Sequence, residues 1–420
     1  MRDEDGMNPH FFLLGGPISQ ERLSWIEECL KFYFVKLNPE DLLHHNKSHE
    51  GVFTFLLTGD ATYSLHDPAT ARIWEVILAL PSVRIICDRQ ELAVRGISVE
   101  GLKMKFPEQV IDHNRLGIGG QPSFWNDVAK IARQHEQPVP STIGYLQIES
   151  PYMHRSSLGA VKCLGAALEI HSSVELYAYL DGAHCGHINQ APTESENIGE
   201  CLESLSDKAA KRGLSCQMIV CSRSAAARGY STWDDGQGQV VSACTIKPFR
   251  IRSMNEMVDR FSRNHIILGE DIASIQMKRE GQAPSFPLQD AGRSPPVTVL
   301  VTGTPYGTER APGAISLAVA CAAHGILTRV IFIEDGVYAL TGNHAQEADS
   351  PSFNLQQVID TVAGNSNLEL YAFQPSLHQR GIAKNVKMNG VLDIGMTELG
   401  QLLFYPPKDH QAGHQRVIIF

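Results

Sequence analysis

Val297-Thr298-Val299-Leu300-Val301-Thr302-Gly303, followed by Thr304-Pro305-Tyr306-Gly307-Thr308, is the stretch from which the fold can be read. The first seven residues are apolar and β-branched, as a strand buried on both faces must be, and the next five are turn formers. Residues 314–323 predict a helix of small apolar residues, closed by His324-Gly325 with Gly325 in the C′ role. Arg329-Val330-Ile331-Phe332-Ile333 predicts a second strand ending in Glu334-Asp335-Gly336. Residues 368–373 predict a third, which runs into a short helical stretch ending at Arg380-Gly381.

The same order occurs twice upstream. In a middle copy, strand 143–148 leads to a helix over 157–168 and a strand over 174–180 that ends at Asp181-Gly182. Gln217-Met218-Ile219-Val220 then enters Cys221-Ser222-Arg223-Ser224-Ala225-Ala226-Ala227-Arg228-Gly229. In a first copy, strand 10–16 opens, strand 52–57 ends at Gly59-Asp60, and Val83-Arg84-Ile85-Ile86 enters Cys87-Asp88-Arg89, closing at Arg95-Gly96. The interval from Asp60 to Cys87 is 27 residues against 40 from Asp181 to Cys221, so the first copy is expected to have lost a connecting segment. Strands alternating with helices predict an α/β protein: three tandem domains, each a parallel sheet flanked by helices. Gln137-Pro138-Val139-Pro140 and the proline-rich stretch 278–296 mark the joints. The expected division is 1–138, 139–277, a linker at 278–296, and 297–420.

A length of 420 residues suits two to four domains, and 43% hydrophobic with 20% charged residues suits a water-soluble one. A net charge of -10 gives no global attraction to nucleic acid or to an anionic membrane. Met1-Arg2-Asp3-Glu4-Asp5-Gly6 lacks the apolar core of a signal peptide, and no apolar run reaches membrane-spanning length, so a cytoplasmic protein is expected.

Nine cysteines are scattered without any C-x-x-C pair, so free thiols are expected and neither a zinc ribbon nor a thioredoxin motif is present. Cys29, Cys163 and Cys321 fall in apolar helices and read as core. Cys221 differs, because it stands at a strand's carboxyl end where a helix begins, a place that favours thiolate over thiol. Ser222 and Ser224 offer donors to an anionic sulfur, and Arg223 and Arg228 offer charge. The bland alternative, a buried inert cysteine, carries equal weight on position alone. Cys87 stands at what reads as the same place in the first copy, although Asp88 beside it opposes a thiolate, and Phe373 takes the place in the third. His184, Cys185 and His187, with Asp181, could be imagined around a metal. The spacing is not that of a zinc site, and a loop facing the carrier, with Asp181 and His184 as proton or hydrogen-bond partners, is the preferred reading. A nucleotide- or flavin-binding protein is a further alternative, against which no G-x-G-x-x-G or Walker A loop occurs; no metal or organic cofactor is expected.

Taken together, Val301 to Thr308, the run Phe332-Ile333-Glu334-Asp335-Gly336-Val337-Tyr338 and the terminal Arg416-Val417-Ile418-Ile419-Phe420 resemble the DsrE/DsrF family, in particular its TusC- and TusD-like subunits. The middle copy resembles the DsrE/TusD-like subunit, whose carrier cysteine precedes a helix ending in Arg-Gly and corresponds here to Cys221. The first copy is weakly similar to DsrH/TusB-like or degenerate DsrE-like subunits. The resemblance implies flavodoxin-like sheets and a covalent version of the TusBCD-like heterotrimer, which in the family pairs into a hexamer. It implies a persulfide sulfurtransferase that takes sulfane sulfur on cysteine and passes it to small carriers of the TusA or DsrC/TusE type. A homodimer would mimic the hexamer, unless the fused chain already satisfies those interfaces. The alternative is a non-catalytic scaffold for sulfur-transfer proteins, in keeping with Phe373.

Overall fold

The computed structural model describes residues 10–36, 53–80, 83–106, 110–113, 123–134, 142–230, 232–234, 236, 240–263, 266–277, 294–341, 354–382, 390–405 and 414–420. The joint expected at 137–140 lies outside them, as does the linker except for 294–296. By compactness the chain forms two units, one of residues 1–18 and 48–272, the other of 19–47 and 273–420.

The first unit contains two parallel sheets. One has the order β4-β3-β2-β1, with β1 at His10–Leu14, β2 at Phe53–Leu57, β3 at Val83–Asp88 and β4 at Val110–His113. Every residue of β1 and β2 is buried, which explains why these strands read as unbroken apolar runs rather than alternating ones. The other has β5 (Thr142–Gln147), β6 (Ser173–Ala178), β7 (Cys216–Cys221), β10 (Phe249–Arg252) and β11 (Ile266–Leu268), in the order β10-β7-β6-β5-β11. A small antiparallel hairpin, β8 (Thr232–Asp234) and β9 (Val240–Ser242), is inserted before β10.

Two helices, Ser123–Gln134 and Ser156–Glu169, pack together, and one core runs through them. It joins Phe11, Leu13, Leu56 and Ile86 of the first sheet to Tyr145, Leu176 and Val220 of the second by way of Phe124, Trp125, Val128, Cys163 and Leu164. Side chains sealed in this way stabilise by roughly 1.5–3 kcal/mol each, so this core contributes to holding both sheets. The shortening expected in the first copy is real, but it removes no helix. Pro68–Leu78, capped by Asp67, matches Ile198–Lys211, capped by Asn197. The loop 187–197 is cut to His66-Asp67, and the helix is three residues shorter.

In the second unit β12 (Ile272–Gln276), β13 (Val297–Val301), β14 (Thr328–Phe332), β15 (Leu368–Phe373), β16 (Val391–Ile394) and β17 (His414–Ile419) lie in the order β16-β15-β14-β13-β17-β12. The helix Arg310–Ala323 ends at His324, with Gly325 at φ 76°, as its sequence predicts. The helix Gln20–Lys36 belongs to this unit, where it lies on Met396–Phe404. Tyr33 and Phe404 are 4.9 Å apart, and a β-carbon at Gly400 would lie 2.6 Å from the Phe32 ring.

Candidate functional site

One backbone device recurs three times and positions the candidate residues. After each second strand comes a residue in left-handed conformation, Gly59 at φ 50°, Leu180 at φ 50° and Glu334 at φ 53°. The 3-10 turns Gly59–Leu65, Leu180–Gly186 and Glu334–Leu340 begin there. The next residue is Asp60, Asp181 or Asp335. An arginine at the end of the helix after the third strand reaches back to it: Arg95 Nε to Asp60 at 3.0 Å, Arg228 Nε to Asp181 at 2.9 Å, Arg380 Nε to Asp335 at 2.8 Å. The glycine that follows, Gly96, Gly229 or Gly381, takes a positive φ and closes the helix. In the second and third cases a serine hydroxyl accepts from the left-handed residue's N–H, Ser224 from Leu180 and Ser376 from Glu334, each at 2.9 Å.

These contacts set the roles of several predicted residues. Arg228 and Ser224 tie one strand end to the next, Arg228 through Asp181 and through the Ser224 carbonyl. Neither is bonded to Cys221. Asp181 keeps 59% of its side chain exposed, so its pair with Arg228 is worth only about 0–1 kcal/mol. Arg223 is exposed and Ser222 half-buried. His184 lies in the 3-10 turn with its ring 6.4 Å from that of Tyr230. Burial, and then the Arg228 charge, lower its pKa, which favours the neutral ring. Tyr230 donates to the Ala183 carbonyl. Cys185 is buried with Sγ 3.2 Å from Ser157 Oγ, and burial pushes its thiol up to about 12. Among the described residues no group of three or more His, Cys, Asp and Glu is placed to hold a metal ion.

Cys221 is the last residue of β7 and the N-cap of the helix Ser222–Ala227, with 0% of its surface exposed. By register it stands opposite Arg252 of β10, and Ile219 opposite Arg250. Met218 and Val220 point into the core described above, so Cys221 and Ile219 occupy the other face of the sheet. The helix Met254–Arg263 packs on β7 and β10, with Met257 and Val258 fully buried. The equivalence expected for Cys87 is off by one. The N-caps of the three matching helices are Asp88, Cys221 and Phe373, each seven residues before the stapling arginine. Asp88 therefore stands where Cys221 stands, and Cys87, one step earlier on the strand and fully buried, faces the opposite side. Asp88 accepts from Gln90 N–H, and burial raises its pKa, against the pull of Lys162.

In the second unit the corresponding strand end is filled from within. Arg22 Nε and Nη2 reach Glu334 at 3.0 and 3.1 Å, Trp25 Nε1 reaches the same carboxylate at 3.2 Å, and Arg22 Nη2 also donates to Thr302. Glu21 receives Ser376 Oγ at 2.7 Å and Arg380 Nη2 at 2.8 Å.

Sequence reading passed over Glu270, which follows β11. A β-carbon at Gly15 would lie 2.4 Å from its Cδ, and one at Gly159 would lie 3.6 Å from Oε1 and 3.1 Å from the Trp125 ring. Burial, then Asp271, Glu91, Glu149 and Asp60, raise its pKa well above the usual range. Asp271 beside it accepts from the N–H groups of Gly15 and Gly16. No helix among the described residues is long and apolar enough to cross a membrane.

Residues 296–404 match the model of the DsrE/DsrF-like family, about a quarter of the chain. Among solved structures, the ychN protein from E. coli is similar at 21% identity, over 30% of this chain and 99% of that one, with a TM-score of 0.25. No curated protein matches the chain.

Proposed function

We propose that the chain is a sulfur carrier, a persulfide sulfurtransferase that holds sulfane sulfur on Cys221 and hands it to a partner protein. The observation that carries this reading is the recurring staple. It gives the segment matched to the DsrE/DsrF-like family and the segment around Cys221 the same strand–turn–helix frame, and a thiol sits at the N-cap of the second. In the reaction the Cys221 thiolate attacks the terminal sulfur of a donor persulfide. That S–S bond breaks, the donor leaves as a thiolate, and Cys221 becomes the persulfide. An acceptor thiolate then attacks the terminal sulfur and Cys221 leaves as the thiolate, with no net oxidation. Small carriers of the TusA or DsrC/TusE type are the proposed partners. Because Cys221 is sealed, loading is gated by local opening of the segments over it.

A second reading, a scaffold for sulfur-transfer proteins, is favoured by that same burial and by Phe373 at the third N-cap. Intact mass separates the two. Incubation with a small persulfide donor should add one reductant-labile sulfur to the wild type and none to Cys221→Ser. No gain in the wild type would leave the scaffold, and a gain surviving in Cys221→Ser would transfer the role to another thiol.

A further inference from the structure

The edge of the second sheet carries a charge opposite to that of the chain. Segment 247–263 holds five cations and two acids in a protein of net charge -10. On β10, Phe249 and Ile251 turn into the core, while Arg250 and Arg252 share the face of Cys221, with Arg252 directly opposite it. Arg250 is exposed and, among the described residues, bonds only to the Lys247 and Phe249 carbonyls, and Arg252 is half-buried and bonds to the Ile251 carbonyl. Lys247 and Arg223 are exposed. None of these four cations has a carboxylate partner among the described residues. Their neighbours do: Arg228 pairs with Asp181, Arg260 with Glu175, and Arg263 with Asp259. Glu256 is engaged in capping Ser253. The hairpin beside β10 presents Trp233, 52% exposed, and carries Asp234 and Asp235 in its sequence.

Arginines without a carboxylate partner among the described residues, with an exposed tryptophan on the adjoining hairpin, are the composition of a protein-binding surface, and clustered charge of one sign steers a partner of the other. We infer that Arg223, Lys247, Arg250 and Arg252, with Trp233, form the docking surface for the acidic face of the protein that exchanges sulfur with Cys221. The inference rests on the carrier reading for its purpose, while the surface can be tested without it.

The test uses the whole protein and a fluorescein-labelled 20-residue peptide of alternating Glu and Gly without cysteine. A Lys-Gly peptide and a single-stranded oligonucleotide of equal charge serve as comparison probes. Fluorescence anisotropy at low salt should show binding of the acidic peptide, none of the basic one, and a roughly tenfold or greater loss in R250E/R252E. Added salt should weaken the binding. Equal binding of the acidic peptide to R250E/R252E, or tighter binding of the oligonucleotide than of the peptide, would overturn the inference. Persulfide loading of the wild type is read separately by mass. Binding without loading sinks the carrier reading and leaves the surface, and loading without binding sinks the surface alone.

Discussion

Removing Arg22 should damage the second unit more than any change at a surface arginine, and a compensating change should reveal why. Arg22 and Glu334 each keep only 10% of their side chain exposed. The pair is bidentate, and Trp25 supplies a third donor to the carboxylate. Arg22→Ala removes two charge-assisted bonds, each worth about 1.5–3 kcal/mol, and leaves a buried carboxylate with one neutral donor. The expected loss is about 3–5 kcal/mol, the range for breaking a buried pair from one side. The matching residue in the second copy is Leu180, which holds φ 50° against 53° for Glu334, so leucine fits this backbone. Arg22→Leu with Glu334→Leu should therefore recover all but about 1–2 kcal/mol, because no charge is left stranded. Hydrogen exchange of β13 and β14 amides reads this unit without assuming that the whole chain unfolds in one step. If the double variant is as unstable as Arg22→Ala, the cost comes from lost packing of the arginine stem rather than from the orphaned carboxylate, and the reasoning is refuted.

Further outcomes follow from the same structure. Burial lowers the pKa of His414 to about 4 from 6.5, so the unfolded chain binds the proton first in acid. Stability should fall as pH drops from about 6.5 to 4, by up to about 3 kcal/mol, and His414→Gln should flatten that slope in pH-dependent denaturation. A β-carbon at Gly336 would lie 1.8 Å from the Val301 carbonyl oxygen, whereas one at Gly303 meets nothing within 4 Å. Gly336→Ala should cost roughly 1–3 kcal/mol in a melt and Gly303→Ala almost nothing. Burial pushes the thiols of Cys185 and Cys321 up to about 12 and raises those of Cys29 and Cys163 as well. Peptide mapping after brief iodoacetamide treatment at pH 8 should find these four unlabelled in native protein and labelled after denaturation.

Much of the frame was open to reading because its signals are local. The strand at 297–301, the helix closed by Gly325 and the three Arg-Gly helix ends each depend on neighbours a few residues apart. The Arg228–Asp181 pair spans 47 residues, so the sequence, in which Arg228 stands near Cys221, could not show the bond that ties it to the neighbouring loop. Cys87 was misplaced for a different reason. Matching cysteine to cysteine is natural on paper, but a strand has period two, and a shift of one residue changes the face on which the side chain lies. Arg252 could not have been found at all, since only parallel pairing brings it beside Cys221. Nor does the apolar face of Gln20–Lys36 carry an address, for any complementary groove would satisfy it equally.

That helix has a consequence for how the protein is made. Leu23, Trp25, Ile26, Leu30 and Phe34 emerge early, yet the surface they cover includes Met396–Phe404, and β13 is flanked by β17. More than 350 residues must be translated between the helix and its partners, which takes roughly 18 to 72 seconds at about 5–20 residues per second. Throughout that interval a sticky amphipathic segment waits on the nascent chain, so the early helix is the natural client of a holding chaperone, and slowed elongation should raise its aggregation before any other part of the protein.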